Sequence, residues 1–195
     1  RNCWRKRTWK NFVKHIKEVL KDKNKSLEKR LNSTLVIIKK AFPLEVDFIF
    51  VTRLDSDDML HHKAVELIQG VTTPTESVLF RKGFVYNKNT KEISEWHPTK
   101  NPPFHTIIFK QDVFFDAKKY LEYFKGWRSH EDTPRIFTYI HLPHFCYCVL
   151  VHNQTNQIST IWDHPFRNKP VAKEEYEKVL SMFGITGNDI SLYIQ

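Results

Sequence analysis

Trp9, Phe12, Val13, Ile16, Val19 and Leu20 recur at three- and four-residue spacing with lysines between them, which predicts an amphipathic helix. Lys21–Glu28 is polar and linker-like. Leu31, Thr34, Leu35, Ile38 and Phe42 then mark a second helical stripe, stopped near Pro43 because the residue before a proline is pushed out of the helical region. The pattern changes at Val46-Asp47-Phe48-Ile49-Phe50-Val51, a short run rich in β-branched and aromatic residues that ends abruptly in charge. It reads as a buried central strand. From Met59 to Ile68 helical spacing returns through Leu60, Ala64, Leu67 and Ile68. The acidic residues between these segments therefore fall where a strand ends and a helix begins, the place where open α/β sheets bind ligands.

Farther along, Ser77–Tyr86 and Glu92–His97 flank the turn-rich Asn87-Lys88-Asn89-Thr90 and predict a β-hairpin. Pro98–Pro103 is a loop, Phe104–Phe109 a strand, Val113–Phe124 a helix and Phe145–His152 a strong strand. Val171–Met182 predicts a surface helix ended at Gly184. This order is that of a mixed α/β domain spanning 46–195, preceded by a helical segment over 1–45.

At 195 residues, with 41% hydrophobic and 14% aromatic content, the chain can bury one sizeable core, which excludes global disorder. It has no run of about 18 apolar residues and no secretory-signal pattern, so the expectation is a soluble, cytoplasmic protein. Cys3, Cys146 and Cys148 are odd in number, which argues against a disulfide framework and suits a reducing compartment.

Charge alters the picture at the front. The net charge is +9, and residues 1–42 hold 14 Lys/Arg against 3 Asp/Glu, whereas the remainder holds 17 against 19. A basic segment of this kind can bind nucleic acid, an anionic membrane surface or a phosphorylated substrate, and its plainest reading is a solvated helix face.

The chemistry concentrates in Thr52-Arg53-Leu54-Asp55-Ser56-Asp57-Asp58. Three carboxylates within four residues repel one another unless a cation or basic groups stabilise them. Magnesium and manganese take such oxygen ligands and leave positions open to substrate phosphates, and Arg53 offers a bidentate contact to phosphate. The alternative is that Asp57 and Asp58 simply occupy the first turn of the next helix, at the positive end of its dipole. His141, His144, Cys146, Cys148, His152 and His164 bring together many zinc-type ligands, but no C-x-x-C pair is present. Trp96, Phe104, Trp127 and Trp162 lie in turn-rich stretches where a ring can stack on a sugar, although core packing is the commoner fate. No P-loop, dinucleotide-binding or nucleophile-elbow motif appears.

Phe48-Ile49-Phe50-Val51-Thr52-Arg53-Leu54-Asp55-Ser56-Asp57-Asp58 resembles the D-x-D segment of GT-A-fold glycosyltransferases, most closely the rhamnosyltransferase-like families. The resemblance extends to Asn101-Pro102-Pro103-Phe104-His105-Thr106, to Ser129-His130-Glu131-Asp132 and to Val151-His152-Asn153-Gln154-Thr155-Asn156-Gln157-Ile158-Ser159-Thr160, in that order. It implies a GT-A-like mixed sheet flanked by helices and a metal-dependent transfer of sugar from a nucleotide-diphosphate donor to a saccharide or other hydroxyl acceptor. By the same resemblance Asp57 and His152 hold Mn2+ or Mg2+, Arg53 and Asp55 contact the donor, and Asp132 is the base of an inverting reaction. Neighbouring Glu131 or partial burial would raise the Asp132 pKa toward neutrality. His105 and Thr106 are placed near donor or acceptor.

The front of the chain departs from the family. A GT-A domain begins with a strand whose end holds the nucleotide base, and residues 1–45 offer helices there, so base-recognition residues are not assigned. Two rivals remain open: a nucleic-acid-binding module using the basic front, and a metal-dependent phosphoryl-transfer enzyme using the carboxylates. The slightly acidic balance after Phe42 disfavours the first. Peripheral contact with an anionic membrane through the basic helix is a further expectation.

Overall fold

The computed structural model describes residues 26–41, 45–55, 58–98, 104–151 and 168–189. The helix expected over 9–20, together with Asp57, His152, Trp162 and His164, lies outside them. The chain divides into two compact units, Arg1–Phe50 with Ile108–Trp127 and Val51–Ile107 with Arg128–Gln195.

In the first unit, helix α1 (Leu27–Ala41) starts where Ser26 Oγ accepts a hydrogen bond from the Lys29 amide at 3.3 Å. Lys39 and Lys40 end it, with charge that complements the negative end of the helix dipole. Lys39 also lies over the Phe115 ring, 5.6 Å from its centre. The single helix expected over 113–124 is instead two, α3 (Gln111–Phe114) and α4 (Ala117–Tyr123). Asp116 causes the break: its carboxylate accepts from the Lys118 and Lys119 amides at 3.0 and 3.1 Å and so starts a new helix. Phe109 anchors the unit, with Phe114, Tyr120, Tyr123 and Phe124 around it at centroid distances of 5.2 to 5.7 Å.

The second unit is organised by two long strands, β3 (Ser77–Asn87) and β6 (Tyr139–Val151), paired in parallel from Ser77↔Tyr139 to Asn87↔Val151. Val78, Leu79, Phe80, Val85, Tyr86, Cys146, Tyr147, Val149 and Val151 are buried, the near-continuous apolar burial expected of parallel strands. The other edge of β3 is shared: its first residues pair with β5 (His105–Lys110) and its last with β4 (Glu92–Trp96), both antiparallel. β7 (Asn168–Pro170) joins β4, and the two-residue β2 (Met59–Leu60) joins the outer edge of β6. The result is a curled, mixed seven-stranded sheet. The predicted β3–β4 hairpin is present, its turn closed by Asn87 Oδ1 accepting from the Asn89 and Thr90 amides, with Lys91 at a φ of 58°. Helix α6 (Tyr176–Ser181) covers one face, where Tyr176, Val179 and Leu180 pack with Phe84, Tyr86, Ile93 and Cys148. Gly184, at a φ of +80°, follows it in the left-handed conformation expected of a helix stop.

Two expectations are corrected. β1 (Phe48–Thr52) is not a central strand but the edge of the sheet, beside β5, with Phe48, Phe50 and Val51 at 52%, 37% and 39% exposure. An apolar run is common to both situations, and only the number of paired edges separates them. The helix expected from Met59 is confined to α2 (Ala64–Gln69), because Met59 and Leu60 are drawn into the sheet opposite Cys148 and Tyr147.

Gly83 lies between Tyr147 on β6 and Trp96 on β4. The Tyr147 ring crosses it, so that a β-carbon on residue 83 would stand 2.3 to 2.6 Å from three ring carbons. The ring also stacks on Phe104 at 4.1 Å and meets Trp96 edge-on at 5.6 Å. Gly83→Ala forces this ring off the sheet, and chemical denaturation should read a loss of about 1–3 kcal/mol, the usual range for overpacking a tight core.

Candidate active site

Where β1 ends, the chain is fastened to the start of β5. Thr52 Oγ1 and Thr106 Oγ1 are 2.8 Å apart, and the Arg53 amide donates to the His105 carbonyl at 3.0 Å. Both His105 and Thr106 are buried. They fasten the exit of β1 to β5.

Beyond this fastening, Arg53 and Asp55 are exposed and form an ion pair at 3.3 Å. At 43% and 41% exposure such a pair is worth only about 0–1 kcal/mol, so the fold does not depend on it. What it does is hold a guanidinium beside a carboxylate at the strand exit. Asp58 points elsewhere: its Oδ1 accepts the Leu150 amide at 3.1 Å, while its own amide donates to the Asp55 carbonyl at 3.2 Å. A carboxylate accepting a backbone N–H in a half-buried setting contributes about 1.5–3 kcal/mol. This bond ties the acidic loop to the carboxyl end of β6, two residues before His152.

A third segment reaches the same corner. Ser129 caps a single 3-10 turn, His130–Asp132, which leads into the short helix α5 (Thr133–Ile136). The His130 imidazole is held below its ordinary pKa, first by burial and then by the Arg53 charge, with Glu131 and Asp55 acting the other way. His130 is therefore within electrostatic reach of both members of the exposed ion pair. Sequence reasoning gave His130 no role, and only its place in the Ser129–Asp132 segment marked it.

Asp132 departs from expectation. Its carboxyl is held below the ordinary carboxylate value, chiefly by the Arg128 amide at 2.9 Å and also by the Arg135 guanidinium at 3.1 Å. The upward shift expected from Glu131 or burial is absent because backbone and arginine donors favour the charged form more than partial burial disfavours it.

Among the described residues no three His, Cys, Asp or Glu side chains converge to hold a metal. The donor set at this corner nevertheless has the hard carboxylate chemistry that magnesium and manganese take, and Asp57 and His152, the ligands implied by resemblance, lie outside the described residues. Cys146 and Cys148 are buried free thiols. Burial pushes the Cys146 pKa up to about 11 and that of Cys148 higher still, so both behave as small apolar groups. Trp96 and Phe104 are core residues. Comparisons with protein-family models, with curated proteins and with solved structures return no match.

The Asp132 contacts give a pH prediction. A depressed carboxylate pKa contributes stability that is present above the unfolded value, here 3.8, and is lost as pH falls through the folded one. Carbon-detected NMR should find Asp132 titrating below 3.8, and Arg135→Gln should move that titration upward. An unchanged value in the variant would remove Arg135 from the account.

Proposed function

We propose that this chain carries a metal-dependent glycosyltransferase site of the GT-A type, closest to the rhamnosyltransferase-like families, transferring sugar from a nucleotide-diphosphate donor to a saccharide or other hydroxyl acceptor. The observation that carries the reading is the meeting of three segments far apart in sequence: the Arg53–Asp55 loop, the His130–Asp132 turn, and the end of β6 held by Asp58. The sequence resemblance links the same three segments.

In this reading Asp57 and His152 would hold a magnesium or manganese ion, which when bound would supply Lewis-acid stabilisation of the leaving diphosphate. Arg53 contacts the diphosphate, exchanging its exposed partner Asp55 for phosphate oxygens. Asp55 would contact the donor. Asp132 accepts the proton of the acceptor hydroxyl as that oxygen bonds to the anomeric carbon and the bond from that carbon to the diphosphate breaks. No protein nucleophile takes part, and the anomeric centre inverts. The arginine and amide contacts keep Asp132 fully deprotonated at neutral pH while reducing its proton affinity, so Arg128 and Arg135 set the strength of the base. The basic α1 and the segment before it offer an anionic membrane surface a place to hold the enzyme near its acceptor.

Calorimetry with a panel of nucleoside diphosphates and nucleotide sugars, with and without manganese, tests the reading. Wild-type protein is expected to bind one nucleotide family in a manganese-dependent manner. Asp57→Ala should abolish this binding, and Arg53→Ala should weaken it about tenfold or more. No nucleotide binding by the folded, full-length chain would overturn the reading, and metal-dependent phosphodiester cleavage would replace it with phosphoryl transfer.

A further inference from the structure

Immediately after the acidic loop, the chain makes a sequence of contacts that the proposed reaction does not use. Met59 and Leu60 pair with β6, and the His61 amide continues the ladder by donating to the Cys146 carbonyl at 2.9 Å. The next residue leaves β6 for the end of α6, where the His62 amide donates to the Met182 carbonyl at 2.8 Å and His62 Nδ1 lies 2.8 Å from the same oxygen. The two imidazoles stack at 4.6 Å, and His61 meets the Phe183 ring edge-on at 6.2 Å.

The two histidines differ in what protonation does to them. His62 Nδ1 faces a carbonyl oxygen, so it carries hydrogen in the neutral and charged forms alike, and its contact survives acid. His61 Nδ1 accepts the Lys63 amide at 2.9 Å and must therefore carry a lone pair, which makes His61 neutral with its hydrogen on Nε2. Protonation of His61 would set N–H against N–H at this position and destroy the bond that, with Ala64 N to His61 O at 2.8 Å, leads into α2.

The surroundings make that protonation costlier still. The titratable and charged groups acting on His61 are His62 and Lys63 from its own segment and His144 from β6, and all three lower its pKa. Met182 and Phe183, from the end of α6, bring no charge. We propose that His61 is an acid-sensitive latch: neutral, it holds the turn from His61 through Lys63 into α2, and protonated it releases that turn from its place beside β6 and Met182.

The direction with pH follows from the sign of the shift. His61 is held below its ordinary value of 6.5, by burial first and then by the electrostatic influence of His62, Lys63 and His144. Its contribution to stability is complete above 6.5 and declines as pH falls below that value toward the folded-state pKa.

Amide hydrogen exchange of the full chain, corrected for the intrinsic effect of pH, tests the latch between about pH 7 and about pH 5. The amides of His61, His62 and Lys63 are expected to lose protection in acid while those of Val85 and Val149 keep theirs. The loss should track the His61 ring titration followed by NMR. His61→Asn places an amide oxygen where Nδ1 stands and cannot titrate, so its segment should stay protected throughout this range. Wild-type protection that is flat while His61 titrates would overturn the proposal, as would an acid-induced loss that persists in His61→Asn. Should the variant not fold, comparison of the wild-type ring titration with its exchange decides alone.

Discussion

The parallel pairing of β3 with β6 is the constraint on which the second unit rests. β3 and the carboxyl half of β6 are largely buried, so there the backbone groups are satisfied only through each other and through the strands at their outer edges. Once they are paired, the outer edge of β6 accepts β2, and the outer edge of β3 must serve both β5 and β4. The sheet therefore forks around β3 and curls. Gly83 is the position at which this close approach is most demanding, because the ring of Tyr147 occupies the space a side chain would need. Tyr147 Oη and Trp96 Nε1 are buried there without hydrogen-bond partners among the described residues, a cost of about 1–3 kcal/mol each that the surrounding aromatic packing must offset.

From that frame the candidate site follows by short steps. β5 lies against β3, and its buried Thr106 and His105 hold the exit of β1, so that Arg53 and Asp55 emerge side by side. β6 offers the Leu150 amide to Asp58 and the Cys146 carbonyl to His61, so residues 58–61 are laid along β6. The turn before α5 brings His130 within reach of the same charges. Each contact is modest by itself. Together they gather at one corner residues separated by almost a hundred positions in sequence.

Much of the element order was legible in the sequence because it depends on local signals. The β3–β4 hairpin was marked by Asn87 to Thr90, the helix stop by Gly184, and β5 by its apolar run. What escaped was decided by tertiary pairing. Phe48 to Val51 has the composition of a central strand whether one of its edges is paired or both, so its place at the sheet edge could not be read from composition. Leu60, Ala64, Leu67 and Ile68 match a helical period, but Met59 and Leu60 found a better partner in β6. In the region 113–124 the capping side chain of Asp116 was readable in principle and was outweighed by the continuous apolar stripe. At the candidate site, Arg53 and Asp55 were marked by residue type and spacing, and Asp132 by the family resemblance alone. The environment of Asp132 was not, because the amide and guanidinium that depress its pKa act through a fold that spacing does not reveal, and His130 became a neighbour of Arg53 only in three dimensions.

The most direct test of the central claim is an anomalous-scattering map at the manganese edge, from crystals grown with manganese and the nucleoside diphosphate that binds best. The account predicts one strong peak at the Asp55–Asp57 loop, with His152 within bonding distance and the diphosphate between the ion and Arg53. A manganese peak elsewhere, or a diphosphate bound away from Arg53 with no metal at the loop, would contradict it.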